Sequence, residues 1–284
     1  MATQIHPTAV IAPGAELGTD VRVGPYTVVG PEVQIGDGTH IGPQVVIDGV
    51  TNIGQENVLC GQASLGGAPQ DLSYDGEATF LEIGDRNTIR EFVTINRGTV
   101  KGGGVTRIGS DCLLMACSHV AHDCELEDGV ILGNNVLLAG HVFVGRRANV
   151  SGAAAVHHFV SIGECAYVGG LTRVVQDCPP YMILEGHPSR VRGVNVIGLR
   201  RAGYAEEVLD ELRAAFRRLY RSGEPRRRVL ERLREEVPPE GLVAELVQSL
   251  HNTELGSKGR FRETLREEFA RAGSELIYGT ASAR

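Results

Sequence analysis

The chain has 284 residues, a net charge of −7, 37 glycines, six cysteines and no tryptophan, with aromatic residues at 5%. That length gives room for a long first domain and a smaller second one, the acidic balance argues against general nucleic-acid binding, and no apolar run approaches the roughly 18 residues of a transmembrane segment. The opening "MATQIHPTAV" lacks the basic-then-apolar order of a signal peptide, and the cysteines form no C-x-x-C pair, so the expectation is a cytoplasmic protein with reduced thiols.

From Ile5 an aliphatic residue returns every six positions, through Ile11, Leu17, Val23, Val29, Ile35, Ile41, Ile47, Ile53, Leu59 and Leu65. The register lapses, resumes at Ile83, Ile89 and Ile95, lapses again through "RGTVKGGGVTR", and runs from Ile108 to Val174. Four positions after each aliphatic residue stands a small or β-branched one, and Gly often follows it directly. A helix would space apolar residues by three and four, and a half-buried strand would alternate, so neither accounts for a period of six. The period is that of a parallel β-helix, with the aliphatic residue filling the corner of a narrow prism. Three hexads make one coil, residues eighteen apart stack, and coils lie about 4.8 Å from one another. The pattern resembles the hexapeptide acyltransferases, and that resemblance supplies a left-handed winding. Cys112, Cys124 and Cys178 fall on the small position, so packing explains them better than catalysis.

The β-helix is expected over 1–195, interrupted by loops at about 66–82 and 97–107. After "DCPPYMILEGHPSRVRGVN" the spacing turns helical, with Leu209, Leu212, Phe216 and Leu219 on one face. A helical domain is therefore expected over 196–284, broken at Ser222-Gly223 and Pro238-Pro239 into at least three helices ending near Ile277. Arg190, Arg192, Arg200, Arg201, Arg213, Arg217, Arg218, Arg226, Arg227 and Arg228 gather near the junction and the first helices. They read either as a solvated, ion-paired surface or as a docking patch for an acidic partner.

The period also places the histidines. His122 is the third residue of the hexad begun by Val120; Gly140 and His158 hold the same place one and two coils on, with His119, Asp123 and His141 beside them. An imidazole held by a carboxylate suits a general base. Several imidazoles also suit zinc, as in the γ-class carbonic anhydrases built on this fold. A solvated surface ladder without chemistry is the third reading.

The loops narrow the choice. "GGAPQDLSYDGEATFLEIGDRNTIREFVTINRGTVKGGGVTRIGSDCLLMACSHVAHDC", "LAGHV", "PPYMILEGHPSRVRGVN" and the helical tail together resemble the UDP-N-acetylglucosamine O-acyltransferases that open lipid A biosynthesis. The resemblance covers nearly the whole chain. It implies that His122 takes the proton of a sugar 3-hydroxyl as it attacks an acyl thioester. Asp123 would hold the imidazole and the Gly140 N–H would stabilise the oxyanion. It places His119, His141, His157 and His158 along the sugar and nucleotide site, and Gln70 and Asp71 as residues reaching the sugar from a neighbouring subunit. Asn195 and Arg201 would meet the nucleotide, and Gly170 and Pro188 would lie near the end of the acyl groove. The implied acyl donor is a 3-hydroxyacyl chain on acyl carrier protein, the acceptor a UDP-sugar, the assembly a homotrimer with sites between subunits. No cofactor and no metal are called for.

Four positions depart from the family's pattern. Ser73 stands where Lys is usual after Q-D-L, Asn96 replaces His in T-I-H-R-G, His158 replaces Gln in H-Q-F, and Ala202 replaces the second basic residue after Arg201. Ser73 and Asn96 make the acceptor pocket less basic, which leaves open a 3-amino sugar nucleotide and an amide product. Another hexapeptide transferase using a coenzyme A thioester would match the coil and not the two loops.

Overall fold

A computed structural model describes residues 2–279. Most hexads yield a two-residue strand ending on the aliphatic residue; Gln4–Ile5, Val10–Ile11 and Glu16–Leu17 form the first coil. The next coil pairs onto it in parallel, Gln4 opposite Arg22 and Ile5 opposite Val23. Repetition of this step builds three sheets of eleven, nine and eight strands, the faces of the prism.

The aliphatic residues point inward and stack into one interior cluster without an aromatic ring, in which Ile47, Leu65, Leu114, Leu132 and Leu138 are fully buried. Cys112, Cys124 and Cys178 sit in the same interior, and burial pushes their thiols up to about 11, 12 and 12. Such thiols stay protonated and unreactive at neutral pH.

The corners need a left-handed backbone. Non-glycine residues take positive φ at one corner after another, among them Asp123 (60°), His141 (64°) and Phe159 (63°). An L-residue pays roughly 1 kcal/mol or more for that conformation, and the ladders on both sides of each corner hold it there. This places side chains in fixed columns along each edge.

Two insertions break the spacing of 18. Leu59 pairs with Ile89 and Ile89 with Leu114, and the same steps recur on the other two sheets. The loops occupy 68–79, after strand Ser64–Gly67, and 97–104, after strand Thr94–Asn96. Both return to the prism through four-residue strands, Phe80–Ile83 and Val105–Ile108, which pair with each other, and Phe80–Ile83 pairs on its other side with Val50–Ile53. These longer rungs fix the feet of the loops.

The prism ends in an antiparallel pair, Met182–Glu185 with Arg190–Val194, whose connecting turn carries a cis His187–Pro188 bond. Helices follow: α1 (Val196–Arg201), α2 (Glu206–Arg221), α3 (Arg226–Glu236), α4 (Leu242–Leu255) and α5 (Arg266–Tyr278). Leucines of α2, α3 and α4 form a second core with Tyr181 and Met182. The buried Tyr181 hydroxyl donates to Glu245 of α4, pinning the helices to the end of the prism. Among the described residues no helix is long and apolar enough to cross a membrane.

Candidate active site

The corner after strand His119–Val120 carries two adjacent columns. One stacks His122, Gly140 and His158; the other stacks Asp123, His141 and Phe159, in the pairing register that sets His119 opposite Leu137. The hexad spacing thus brings the histidines together as the sequence implies.

His122 Nδ1 lies 2.7 Å from Asp123 Oδ2. An ionised carboxylate can only accept, so Nδ1 carries the proton and Nε2 keeps a free lone pair. Asp123 is itself fully anchored: the Thr99 N–H donates to Oδ1 at 2.7 Å, the Thr99 hydroxyl to Oδ2 at 2.6 Å, and its own N–H to Thr106 Oγ1 at 2.8 Å. Its side chain has no exposure and that of His122 only 7%. The orientation of the imidazole is therefore fixed from behind.

Gly140 fits against the ring because it has no side chain. A Cβ built there would stand 2.5 Å from His122 Cε1 and 2.8 Å from Nε2. Among the described residues no backbone carbonyl accepts from the Gly140 N–H. A free N–H beside a free Nε2 is what an oxyanion donor next to a base requires.

His141 stacks flat on Phe159, with ring centroids 4.2 Å apart, and its Nδ1 is 3.8 Å from Asp123 Oδ2. Burial pushes its pKa down to about 4 against the opposing pull of Asp123, so it is neutral at physiological pH. Its buried Nδ1 has no partner among the described residues. His119 shares a 2.7 Å hydrogen bond with Thr94 Oγ1, and burial lowers its pKa as well. His158 lies at the rim, lowered first by partial desolvation and then by His157, whose Nδ1 donates to the His158 carbonyl.

The first loop leans toward this edge. The Asp71 carboxylate accepts from the Ser73 N–H and hydroxyl, both at 2.8 Å; these bonds hold its pKa below the usual range, and the charge of Lys101 adds to the effect. Ser73, in place of a lysine, thus closes a turn around the aspartate. Gln70 and Leu72 flank it fully outside, Leu72 as exposed as a free side chain. Asn96 is buried, donating from Nδ2 to the Ala68 carbonyl at 2.9 Å, and so ties down the foot of the same loop.

Other residues implied by the resemblance lie elsewhere. Asn195 and Arg201 line a cavity of about 590 Å³ with Arg147, Asn149, Tyr167 and Ile197, against a different face of the prism from the histidine edge. Both ends of the Asn195 amide are engaged: Nδ2 donates to the Cys165 carbonyl at 2.8 Å and Oδ1 caps α1 by accepting from the Gly198 N–H at 3.1 Å. Its side chain places the helix that carries Arg201. Gly170 is exposed, and a Cβ there would stand 3.2 Å from the Gly152 carbonyl oxygen; Pro188 is exposed in its turn. One chain therefore holds these two groups of residues on two different faces.

The arginine cluster divides too. Arg200, Arg213, Arg218 and Arg227 are ion-paired with nearby acids, as a solvated surface would be. Among the described residues Arg190, Arg192, Arg201, Arg217, Arg226 and Arg228 form no ion pair, and Arg226 to Arg228 open α3, whose first turn holds no acid. Arginines at the positive end of a helix dipole repel it, so the chain keeps them at a cost in helix stability.

Sequence reasoning did not single out Thr99, Thr106 or Gly102. A Cβ on Gly102 would fall on the Asp123 carboxylate. The glycine-rich lapse of the repeat marked this segment, and only the folded loop shows that it is the carboxylate's anchor. The ligand atoms of His122, Asp123 and His141 lie within 4.8 Å of one another, close enough to share a metal ion; the short His122–Asp123 bond and its fixed tautomer are what a base dyad needs.

The chain is similar over most of its length to known proteins. A family profile described as UDP N-acetylglucosamine O-acyltransferase, domain 2, matches residues 177–259, and a bacterial transferase hexapeptide profile matches 20–49 and 106–140. A protein of Synechocystis named acyl-[acyl-carrier-protein]–UDP-N-acetylglucosamine O-acyltransferase is 52% identical over 171 residues, 60% of this chain and 62% of its own length. One of the same name from Paraburkholderia xenovorans is 48% identical over 248 residues, 87% of this chain and 95% of its own. The crystal structure of a UDP-N-acetylglucosamine O-acyltransferase from Moraxella catarrhalis superposes with a TM-score of 0.82 at 40% identity, covering 87% of this chain and 96% of that one.

Proposed function

The chain belongs to the UDP-N-acetylglucosamine O-acyltransferase family, with its left-handed parallel β-helix and helical tail, and from that premise we propose that it transfers a 3-hydroxyacyl chain from acyl carrier protein to the 3-hydroxyl of UDP-N-acetylglucosamine, the first step of lipid A biosynthesis. The observation that carries the mechanism is the buried 2.7 Å bond from His122 Nδ1 to an Asp123 that Thr99 holds in turn.

His122 Nε2 takes the proton of the sugar 3-hydroxyl as its oxygen adds to the thioester carbonyl. The imidazolium so formed lies against the Asp123 carboxylate, which stabilises it. The new C–O bond leaves a tetrahedral oxyanion for the Gly140 N–H, a donor type worth about 10²–10³ in rate. Collapse breaks the C–S bond, and the thiolate recovers the proton from His122 as a thiol. The thioester is already activated, so orientation, one proton transfer and one oxyanion donor complete the chemistry. His141, neutral because it is buried, adds no positive charge to oppose formation of the imidazolium.

The two half-sites support a homotrimer whose active sites lie between subunits. Rotation about a threefold axis would set the Asn195 and Arg201 face of one chain beside the histidine edge of the next, and the exposed Gln70 to Ser73 turn would reach across the same cleft. A guanidinium such as Arg201 suits the nucleotide phosphates. The unpaired arginines at the start of α3 give acyl carrier protein, an acidic partner, a docking surface.

The test is product analysis by mass spectrometry, offering 3-hydroxyacyl carrier proteins of several chain lengths with UDP-N-acetylglucosamine and, in parallel, its 3-amino analogue. A 3-O-acylated UDP-N-acetylglucosamine is the expected product. Acylation of the amino sugar alone would make Ser73 and Asn96 specificity determinants for nitrogen, and transfer only from coenzyme A thioesters would overturn the reading.

A further inference from the structure

The last helix lies beyond residue 259, where the family profile ends. It belongs to neither hydrophobic core, and of its residues only Gly273 is buried. A helix outside both cores does something other than fill them.

Its path runs along the histidine edge. The Phe261 N–H donates to Asp177 Oδ2 at 2.9 Å, and Arg260 is held by Glu263 at 2.8 Å and reaches the Val175 carbonyl at 3.2 Å. Arg262 then donates to the backbone carbonyl of His141 at 3.2 Å and to Glu125 at 3.3 Å, its guanidinium between the rings of Phe143 and Phe269. Arg266 lies 4.1 Å above Phe159, on which His141 is stacked. Beyond it α5 packs on the one-turn helix Val100–Gly102 of the second loop. Gly273 is the contact point, since a Cβ there would fall on the Val100 carbonyl; Leu276 and Ile277 cover Gly104. That loop carries Thr99, whose two donors hold Asp123, and Gly102, which leaves the carboxylate its space.

We propose that the segment Arg260–Tyr278 is a positioning element for the proposed active site: α5 clamps the loop that fixes Asp123, and through it the tautomer and orientation of His122, while Arg262 and Arg266 seat His141 from the other side. The proposal rests on the dyad reading, in that its consequence for rate assumes His122 to be the base. None of these residues touches the reacting atoms. A glycine inside an exposed helix costs about 1 kcal/mol relative to alanine, so Gly273 is a residue that helix formation alone would not select.

The test uses two full-length variants that leave both cores intact. Gly273→Ala favours the helix and obstructs its seat on Val100; Leu276→Asp removes the apolar cover from Gly104 at a half-exposed position. Two readouts are taken on each: steady-state transfer, and the ring ¹⁵N resonances of His122, which report its tautomer without any substrate. The expected result is a kcat lowered by about tenfold or more with the KM for the sugar nucleotide within about twofold, since displacement of a catalytic group by about 1 Å costs up to about 10². His122 should pass from a single Nδ1–H tautomer to a mixture. Unchanged His122 resonances in both variants would overturn the proposal whatever the activity. Were the unsubstituted protein inactive with UDP-N-acetylglucosamine, the functional reading would fail, and the resonances would still decide the positioning role.

Discussion

Replacing Gly140 with alanine adds one methyl group against the His122 ring. The backbone permits it, because Gly140 is not among the positive-φ glycines. The added carbon would stand 2.5, 2.8 and 3.1 Å from Cε1, Nε2 and Nδ1 of His122, where carbon contacts are comfortable at about 3.5–4.0 Å. The imidazole must therefore retreat by about 1 Å, and the ladder between their coils prevents the backbone from yielding instead. A shift of that size stretches the 2.7 Å bond to Asp123 and moves Nε2 off its line to the acceptor hydroxyl. The expected loss in kcat is about 10²-fold, which corresponds to about 2.7 kcal/mol of barrier, while the Gly140 N–H remains in place. Steady-state transfer measured beside a thermal melt distinguishes this from unfolding. A folded Gly140→Ala protein with kcat within twofold of the unsubstituted one would refute the packing of base against glycine.

Thr99→Val removes the hydroxyl donor to Asp123 Oδ2 and keeps the N–H donor to Oδ1; the expected outcome is a several-fold fall in kcat with KM little changed, read in the same assay. Two buried groups tilt stability against pH in opposite directions. The His141 pKa falls from 6.5 to about 4, so its stabilising share is present above 6.5 and lost as pH drops to 4; that of Asp177 rises from 3.8 to about 6, so its share is present below 3.8 and lost as pH rises through 6. Denaturation midpoints between pH 4 and 6.5 should therefore fall toward acid in Asp177→Asn and fall toward neutrality in His141→Gln, each by up to about 3 kcal/mol. Finally, His122→Ala and Arg201→Ala chains, each inactive alone, should regain about a quarter of full activity when equal amounts assemble into mixed trimers, because random mixing restores one intact site in four. No recovery would place both residues in one chain's site.

The coil was legible because a six-residue period fits a parallel β-helix, whose hand came from the family resemblance, and the same period sets His122, Gly140 and His158 on one edge. The cysteines followed from their place in the hexad. What the period could not convey lay in the segments that interrupt it. Thr99 and Gly102 belong to a loop whose glycines mark irregular backbone and leave its contacts unstated. The family's pattern implies Asn195 as a ligand residue, whereas its amide is committed to capping α1 and to the Cys165 carbonyl. The return of α5 to the histidine edge joins Gly273 to Val100 and Arg262 to His141. Contacts between residues more than a hundred positions apart leave no local signature in composition or spacing.

The most direct measurement is the transfer of a 3-hydroxyacyl group from acyl carrier protein to UDP-N-acetylglucosamine by the unsubstituted protein and by His122→Ala, both verified as folded. The account expects acylated sugar nucleotide from the first and a loss of at least about 10²-fold in the second, the range over which general-base catalysis acts. Comparable rates from the two proteins would contradict His122 as the base.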